Sequence, residues 1–260
     1  MSVDNQKEIN LARRSLLTKG AIGAAAVTVA PGVILHQTLQ AEPRKEAVTS
    51  DVRWGMLIDT AKCADGCTDC VEACDHENGL DLQQQPEGSD DTLWDMQKSK
   101  WMRTVKLKDN LTKRETTLPM MCQHCENPPC VDVCPTNASM RREDGVVLVD
   151  RHRCIGCRYC MMACPYKARS FIHQVVDVKL SITPRGKGCV ESCNFCVHRL
   201  DNGNTTTACQ EACTKAGHNA IIFGDLKDPD SAVAKAMKNT ATRQVRDDLK
   251  LNTGVRYANI

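Results

Sequence analysis

Sixteen of the seventeen cysteines fall into four runs of four, and a deprotonated thiol is the side chain best suited to a soft metal. The runs are Cys63, Cys67, Cys70 and Cys74; Cys122, Cys125, Cys130 and Cys134; Cys154, Cys157, Cys160 and Cys164; and Cys193, Cys196, Cys209 and Cys213. In every run the fourth cysteine lies four positions past the third, about one helical turn further on.

The third run, CIGCRYCMMACP from Cys154 to Pro165, matches the bacterial ferredoxin run. There three thiolates hold one [4Fe-4S] cube and the fourth reaches a neighbouring one. Such a run needs a partner, and the second run, closed by Cys134-Pro135, supplies it. The outer runs are looser. The first has three residues in its opening gap, with Gly66 to let the longer loop curl, and no proline after Cys74; the fourth has twelve residues between Cys196 and Cys209. Sixteen ligands close on four cubes, leaving Cys189, which reads as a buried inert cysteine in preference to a spare ligand or reactive thiol. His124 sits between ligands of a run that already has four, so it reads as a structural or hydrogen-bonding residue.

Two other uses of cysteine compete. Disulfide frameworks disperse their cysteines, whereas these are grouped by C-x2-C pairs. Structural zinc takes two pairs separated by a longer loop, unlike a compact triplet with a fourth residue before proline. A zinc- or disulfide-stapled binding module is therefore the remote alternative.

The first 41 residues hold four of the 34 basic and two of the 32 acidic groups, so the remainder carries 30 of each. A balanced body gives no ground for nucleic-acid binding, and proteins are the expected partners. Only 3% of residues are aromatic, so metal–thiolate bonds are expected to replace part of an ordinary core. Residues 1–41 read as a targeting segment: ARRSLLTK at 12–19 resembles the twin-arginine motif, and an Ala- and Gly-rich stretch follows, broken by Pro31. That route exports folded proteins, which suits clusters assembled in the cytoplasm, and it implies a periplasmic location. Cleavage after Ala41 competes with retention as an anchor.

The pattern between the runs is α+β. Trp54–Asp59 alternates as a strand, and Val71–Cys74 starts a helical turn. Residues 75–119 form an insertion: Gln83–Asp91 is a loop, and Trp101–Lys108 with Glu115–Leu118 make a hairpin arm that could serve as a docking surface or a lid. Gly145–Asp150, Tyr166–His173, Val175–Leu180 and Ala220–Asp225 are strand-like, and Gly186–Gly188 is a turn. Val197–Thr207 reads as a surface excursion. Residues 228–260 form an extended C-terminal tail with a helix at Asp230–Lys238 and an end that could lie along the surface or bind a neighbour.

Residues 50–227 resemble the four-cluster iron–sulfur subunits of the dimethyl-sulfoxide-reductase type, which also serve nitrite, polysulfide and hydrogenase complexes. Within that family PMMCQHCENPPCVDVCP, CIGCRYCMMACPYKARSF, FGDL at 223–226 and the ending GVRYANI are most similar to the O subunits of DsrMKJOP complexes of sulfur metabolism. The resemblance implies two pseudo-symmetric ferredoxin-like modules, each holding two [4Fe-4S] clusters by crossed ligation. Cys63, Cys67 and Cys70 would share a cube with Cys213, and Cys193, Cys196 and Cys209 one with Cys74. Likewise Cys122, Cys125 and Cys130 would pair with Cys164, and Cys154, Cys157 and Cys160 with Cys134.

Neither a nucleotide-binding glycine loop, nor a nucleophile with an identifiable base, nor an open metal site is recognisable, so no residue is assigned a catalytic role and no small-molecule substrate is expected. Saturated cubes pass single electrons. The resemblance implies an electron-transfer protein that links an integral membrane quinone-reactive subunit of the NrfD type to a cytochrome c subunit or further redox subunits, in sulfite reduction or sulfur oxidation. The alternative is service to a molybdoenzyme, hydrogenase or nitrite reductase.

Overall fold

The computed structural model describes residues 47–108, 110–111, 113–176 and 185–260. The targeting reading of residues 1–41 and most of the strand expected at Val175–Leu180 lie outside the described residues.

The first strand, β1 (Trp54–Asp59), follows its alternating pattern and is buried along residues 55–58. It pairs antiparallel with β8 (Ile221–Asp225), register Met56 to Phe223, as the two hydrophobic alternations require. On its other side it pairs in parallel with β10 (Val255–Ala258), register Met56 to Val255, and β10 pairs with the short β9 (Thr242–Arg243). The sheet order is therefore β8-β1-β10-β9. This corrects the expectation of a surface tail. Of the four apolar side chains in GVRYANI, three, Val255, Tyr257 and Ala258, are fully buried. The Tyr257 hydroxyl donates to the Pro119 carbonyl at 3.0 Å and accepts from Gln123 Nε2 at 3.1 Å, tying the tail to the hairpin.

That hairpin is β2 (Met102–Lys108) on β3 (Glu115–Met121), with Val105 opposite Leu118. Its base is core, since Met102, Leu118 and Met121 are buried, while residues 106–108 project into solvent. It is thus packing at one end and free surface at the other. Between the loop and the hairpin lies a helix that the sequence reading left unassigned, α2 (Asp91–Gln97), started by Asp90, whose carboxylate accepts from the Leu93 amide at 2.9 Å.

The cysteine-bearing helices are short. They are α1 (Asp69–Glu77), α3 (Pro129–Asp132), α4 (Tyr159–Ala163) and α6 (Ala208–Lys215), and α1 packs on α6 while α3 packs on α4. Pro129 opens α3, where its missing amide costs nothing. The expected excursion after Cys196 instead begins with a helix, α5 (Val197–Asp201), because Leu200 finds a buried seat; only Asn202-Gly203 turns as anticipated. Small ladders complete the body: β4 (Ser139–Arg141) with β5 (Val147–Val149), and β6 (Ser170–Phe171) with β7 (Val190–Glu191). The final helix, α7 (Ala232–Asn239), is capped by Ser231 and lies on β8 and β1 through Val233. No helix among the described residues is long and apolar enough to cross a membrane.

Candidate metal centres

The two longer cysteine-bearing helices each carry two thiols at i and i+4, on one face but one turn apart, whereas Cys134 and Cys164 lie just past the ends of α3 and α4. In α1 these are Cys70 and Cys74, and in α6 Cys209 and Cys213. Because the two helices pack side by side, the early cysteine of one lies level with the late cysteine of the other.

The consequence is visible in the pockets. Cys63, Cys67, Cys70 and Cys213 line one of about 430 Å³. Cys74, Cys193, Cys196 and Cys209 line another of about 310 Å³, walled by Trp101, Met102, Met121 and Phe195. Cys134, Cys154, Cys157 and Cys160 line a third of about 300 Å³. Cys122, Cys125, Cys130 and Cys164 interact electrostatically as a fourth group. Each of these groups brings together three thiols from one run and one from another.

The four sets also stand in order. Cys70 interacts with Cys209, linking the first set to the second; Cys193 with Cys122, linking the second to the third; and Cys130 with Cys160, linking the third to the last. Burial follows that order. All eight cysteines of the two inner sets are buried, whereas Cys63, Cys67 and Cys70 at one end are half-buried and Cys157 at the other is exposed.

Burial first, then the neighbouring thiols, pushes Cys63 up to about 11 and Cys70 to about 12. Burial likewise raises Cys125 and Cys196 to about 12 and holds Cys74 and Cys193 well above the ordinary thiol value. Desolvated thiols crowded together in this way become thiolates when a cation sits among them. All seventeen cysteines are unpaired, so every donor is available. Several sulfurs receive hydrogen bonds: the Ala220 amide donates to Cys213 at 3.2 Å, the Ser139 amide to Cys134 at 3.4 Å, and the Val190 amide to Cys154 at 3.4 Å. Donors of this kind stabilise charge on ligating sulfur. Four-sulfur donor sets with amide support therefore fit [4Fe-4S] cubes.

Glycine conformations serve the loops at two places. Gly66 has φ +74°, as the longer first gap requires. Gly156 has φ +72°, and a Cβ there would meet the Gly188 carbonyl oxygen at 2.3 Å. His124 fills the hydrogen-bonding role expected of it: its Nδ1 accepts from the Val147 amide at 3.0 Å, its ring stacks on Phe195, and burial lowers it to about 3. Cys189 is half-buried beside Cys154, with its thiol donating to the Arg151 carbonyl at 3.3 Å.

Sequence reasoning missed the charged residues that brace these sets. Glu77 on α1 accepts from Arg199 at 2.6 and 2.7 Å and bonds His198 at 2.6 Å, joining α1 to α5. Arg185 and Glu191 form a buried ion pair, and Arg169 reaches into the sulfur sets themselves. Each pairing spans a stretch of chain in which nothing periodic announces it.

Comparison with known proteins agrees with this chemistry. Residues 114–225 match the model of the 4Fe-4S dicluster domain. The chain is 38% identical to the Hdr-like menaquinol oxidoreductase iron-sulfur subunit 1 of Archaeoglobus fulgidus, covering 95% of this chain and 97% of that one. It is 34% identical to the B chain of tetrathionate reductase from Salmonella typhimurium (96% and 84%). It is 33% identical to the menaquinone reductase iron-sulfur cluster-binding subunit of Nitratidesulfovibrio vulgaris (79% and 88%).

Proposed function

This chain belongs to the iron–sulfur electron-transfer subunits that carry the 4Fe-4S dicluster domain, and from that premise we propose that it is a four-cluster wire between two docked redox partners. It is a non-catalytic subunit of an oxidoreductase complex. The observation that carries the reading is the burial order of the sulfur sets: two sealed in the middle and one at each end reaching the surface.

In this reading the sixteen cysteines of the four runs hold four [4Fe-4S] clusters in two crossed two-cluster modules. Each cluster supplies a one-electron store whose potential responds to hydrogen bonds, charge and exposure. The chain's own residues do the rest. Trp101, Met102, Met121 and Phe195 keep water from the second set, and amides such as those of Ala220 and Ser139 stabilise charge on sulfur. Electrons enter or leave where Cys157, or Cys63 and Cys67, face outward.

The partners in this reading are an integral membrane quinone-reactive subunit of the NrfD type and a cytochrome c or other redox subunit, in a complex of sulfur metabolism related to DsrMKJOP assemblies. Support comes from relatives named for menaquinol and menaquinone, and from one named for tetrathionate, a sulfur compound. ARRSLLTK at 12–19 supports the periplasmic face. The likeness to a tetrathionate reductase component also favours a second reading, in which the wire feeds a separate catalytic subunit such as a molybdoenzyme. Copurifying molybdopterin distinguishes it.

Metal analysis with low-temperature EPR on anaerobically purified, stepwise reduced protein tests the wire. The expected result is about sixteen irons per chain with interacting [4Fe-4S] signals. About eight irons removes the outer sets from the wire, and zinc in place of iron ends it.

A further inference from the structure

Arg169 lies four residues past Pro165 and is 5% exposed. Its Nη2 donates to the Cys130 sulfur at 3.1 Å, and the guanidinium also lies within electrostatic reach of the Cys160 thiol. Cys130 belongs to the third sulfur set and Cys160 to the last. One cation therefore touches two sets.

Burial alone disfavours a guanidinium, since an uncompensated internal charge costs several kcal/mol. Here the compensation is sulfur. The Cys130 sulfur accepts from the guanidinium, and the Cys122 and Cys160 sulfurs lie within electrostatic reach of it. Its Nε and Nη1 are buried with no oxygen to receive them. Orphaned donors on a buried cation point to an acceptor of another kind, and a cube with four thiolate ligands, a net anion with sulfide at its corners, supplies one for each set.

We propose that Arg169 is a shared positioning cation for two adjacent clusters, raising the reduction potentials of both and leaving the other two alone. The inference rests on the cluster reading above. A reduced cluster carries one more negative charge than an oxidised one, and a fixed cation hydrogen-bonded to its ligands favours the reduced form. Because the charge is common to both sets, it raises both midpoints together and leaves the step between the neighbours as it was. The two prongs suit Arg, whose planar donors can face two acceptors where a Lys ammonium is a single point.

The experiment is a potentiometric EPR titration of the full-length protein, anaerobic and reduced stepwise with dithionite, comparing wild type with Arg169→Gln and Arg169→Lys. Iron content is measured first. A wild type without iron sinks the cluster reading itself. With iron present, the glutamine variant should lower two of the four midpoints by at least tenfold in electron affinity, 59 mV for a one-electron couple, with the other two unmoved. The lysine variant should keep its iron and recover part of that fall. Unchanged midpoints, or four that shift together, overturn the proposal. If the glutamine variant fails to assemble, the lysine variant decides: it must hold its iron and still show a lowered midpoint in one or both of two clusters. Loss of iron from both variants alike makes Arg169 a packing residue and also overturns it.

Discussion

Arg185 and Glu191 meet in a two-pronged ion pair, Nη2 to Oε1 at 2.6 Å and Nε to Oε2 at 3.0 Å, with both side chains shut away from water. The remaining Nη1 donates to the Gly79 carbonyl at 3.0 Å, so the pair ties β7 to the end of α1. Because all the strong partners are satisfied internally, removing one strands the other. Glu191→Gln or Arg185→Met should therefore destabilise the protein by about 3–5 kcal/mol. Anaerobic urea unfolding followed by the visible absorbance should show the midpoint falling; an unchanged midpoint would mean that the pair is dispensable.

Glu77 gives a pH dependence of defined sign. The hydrogen bond from Arg199, opposed by burial and aided by His198, lowers its carboxyl from 4.5 to about 2. A carboxylate depressed in the folded state contributes stability that is complete above the unfolded value and lost as pH falls through the folded one. That window runs from about pH 4.5 down to about pH 2. Glu77→Gln should be less stable at neutral pH and should show a shallower decline across the window. Amide hydrogen exchange in α1 and α5, measured against pH, reads both effects, and parallel slopes in the two proteins would refute the assignment.

Crossed ligation makes a prediction about pairs of cysteines that uncrossed ligation does not share. Cys63 and Cys213 line the same pocket, so replacing both by Ala should cost about four irons, no more than replacing one. Cys63 and Cys209 line different pockets, and that double replacement should cost about eight. Iron analysis of the two double variants and their single counterparts checks it. Equal losses in the two doubles would mean that each run keeps its own cluster.

The site was more legible than the fold because ligation is written locally. Spacing between Cys154, Cys157 and Cys160 constrains a loop directly, and the i, i+4 step to Cys164 needs only a helical turn. The strands β1 and β8 announced themselves by alternation in WGMLID and IIFGD. What stayed hidden depends on distance. Nothing in GVRYANI says that Val255 will lie opposite Met56, about two hundred positions away, because parallel pairing is decided by burial and not by turn chemistry. The helices α2 and α5 are five to seven residues long, too short for a periodic signal, and rest on the Asp90 cap and the seat of Leu200. Arg169 stood in plain view within CPYKARSF, but its charge balance is with sulfur, which sequence-level counting of acids and bases leaves out.

The position of β10 sets a timetable for synthesis. It lies between β1 and β9, and the residues before it bind the second run: the Glu126 amide donates to the Leu251 carbonyl, and the Gly254 amide to the Gln123 carbonyl. Translation delivers all four cysteine runs before it delivers this strand. A nascent chain therefore leaves the ribosome with its thiols present and its sheet unfinished, open to the machinery that loads iron. Insertion of β10 acts as the latch that completes the sheet.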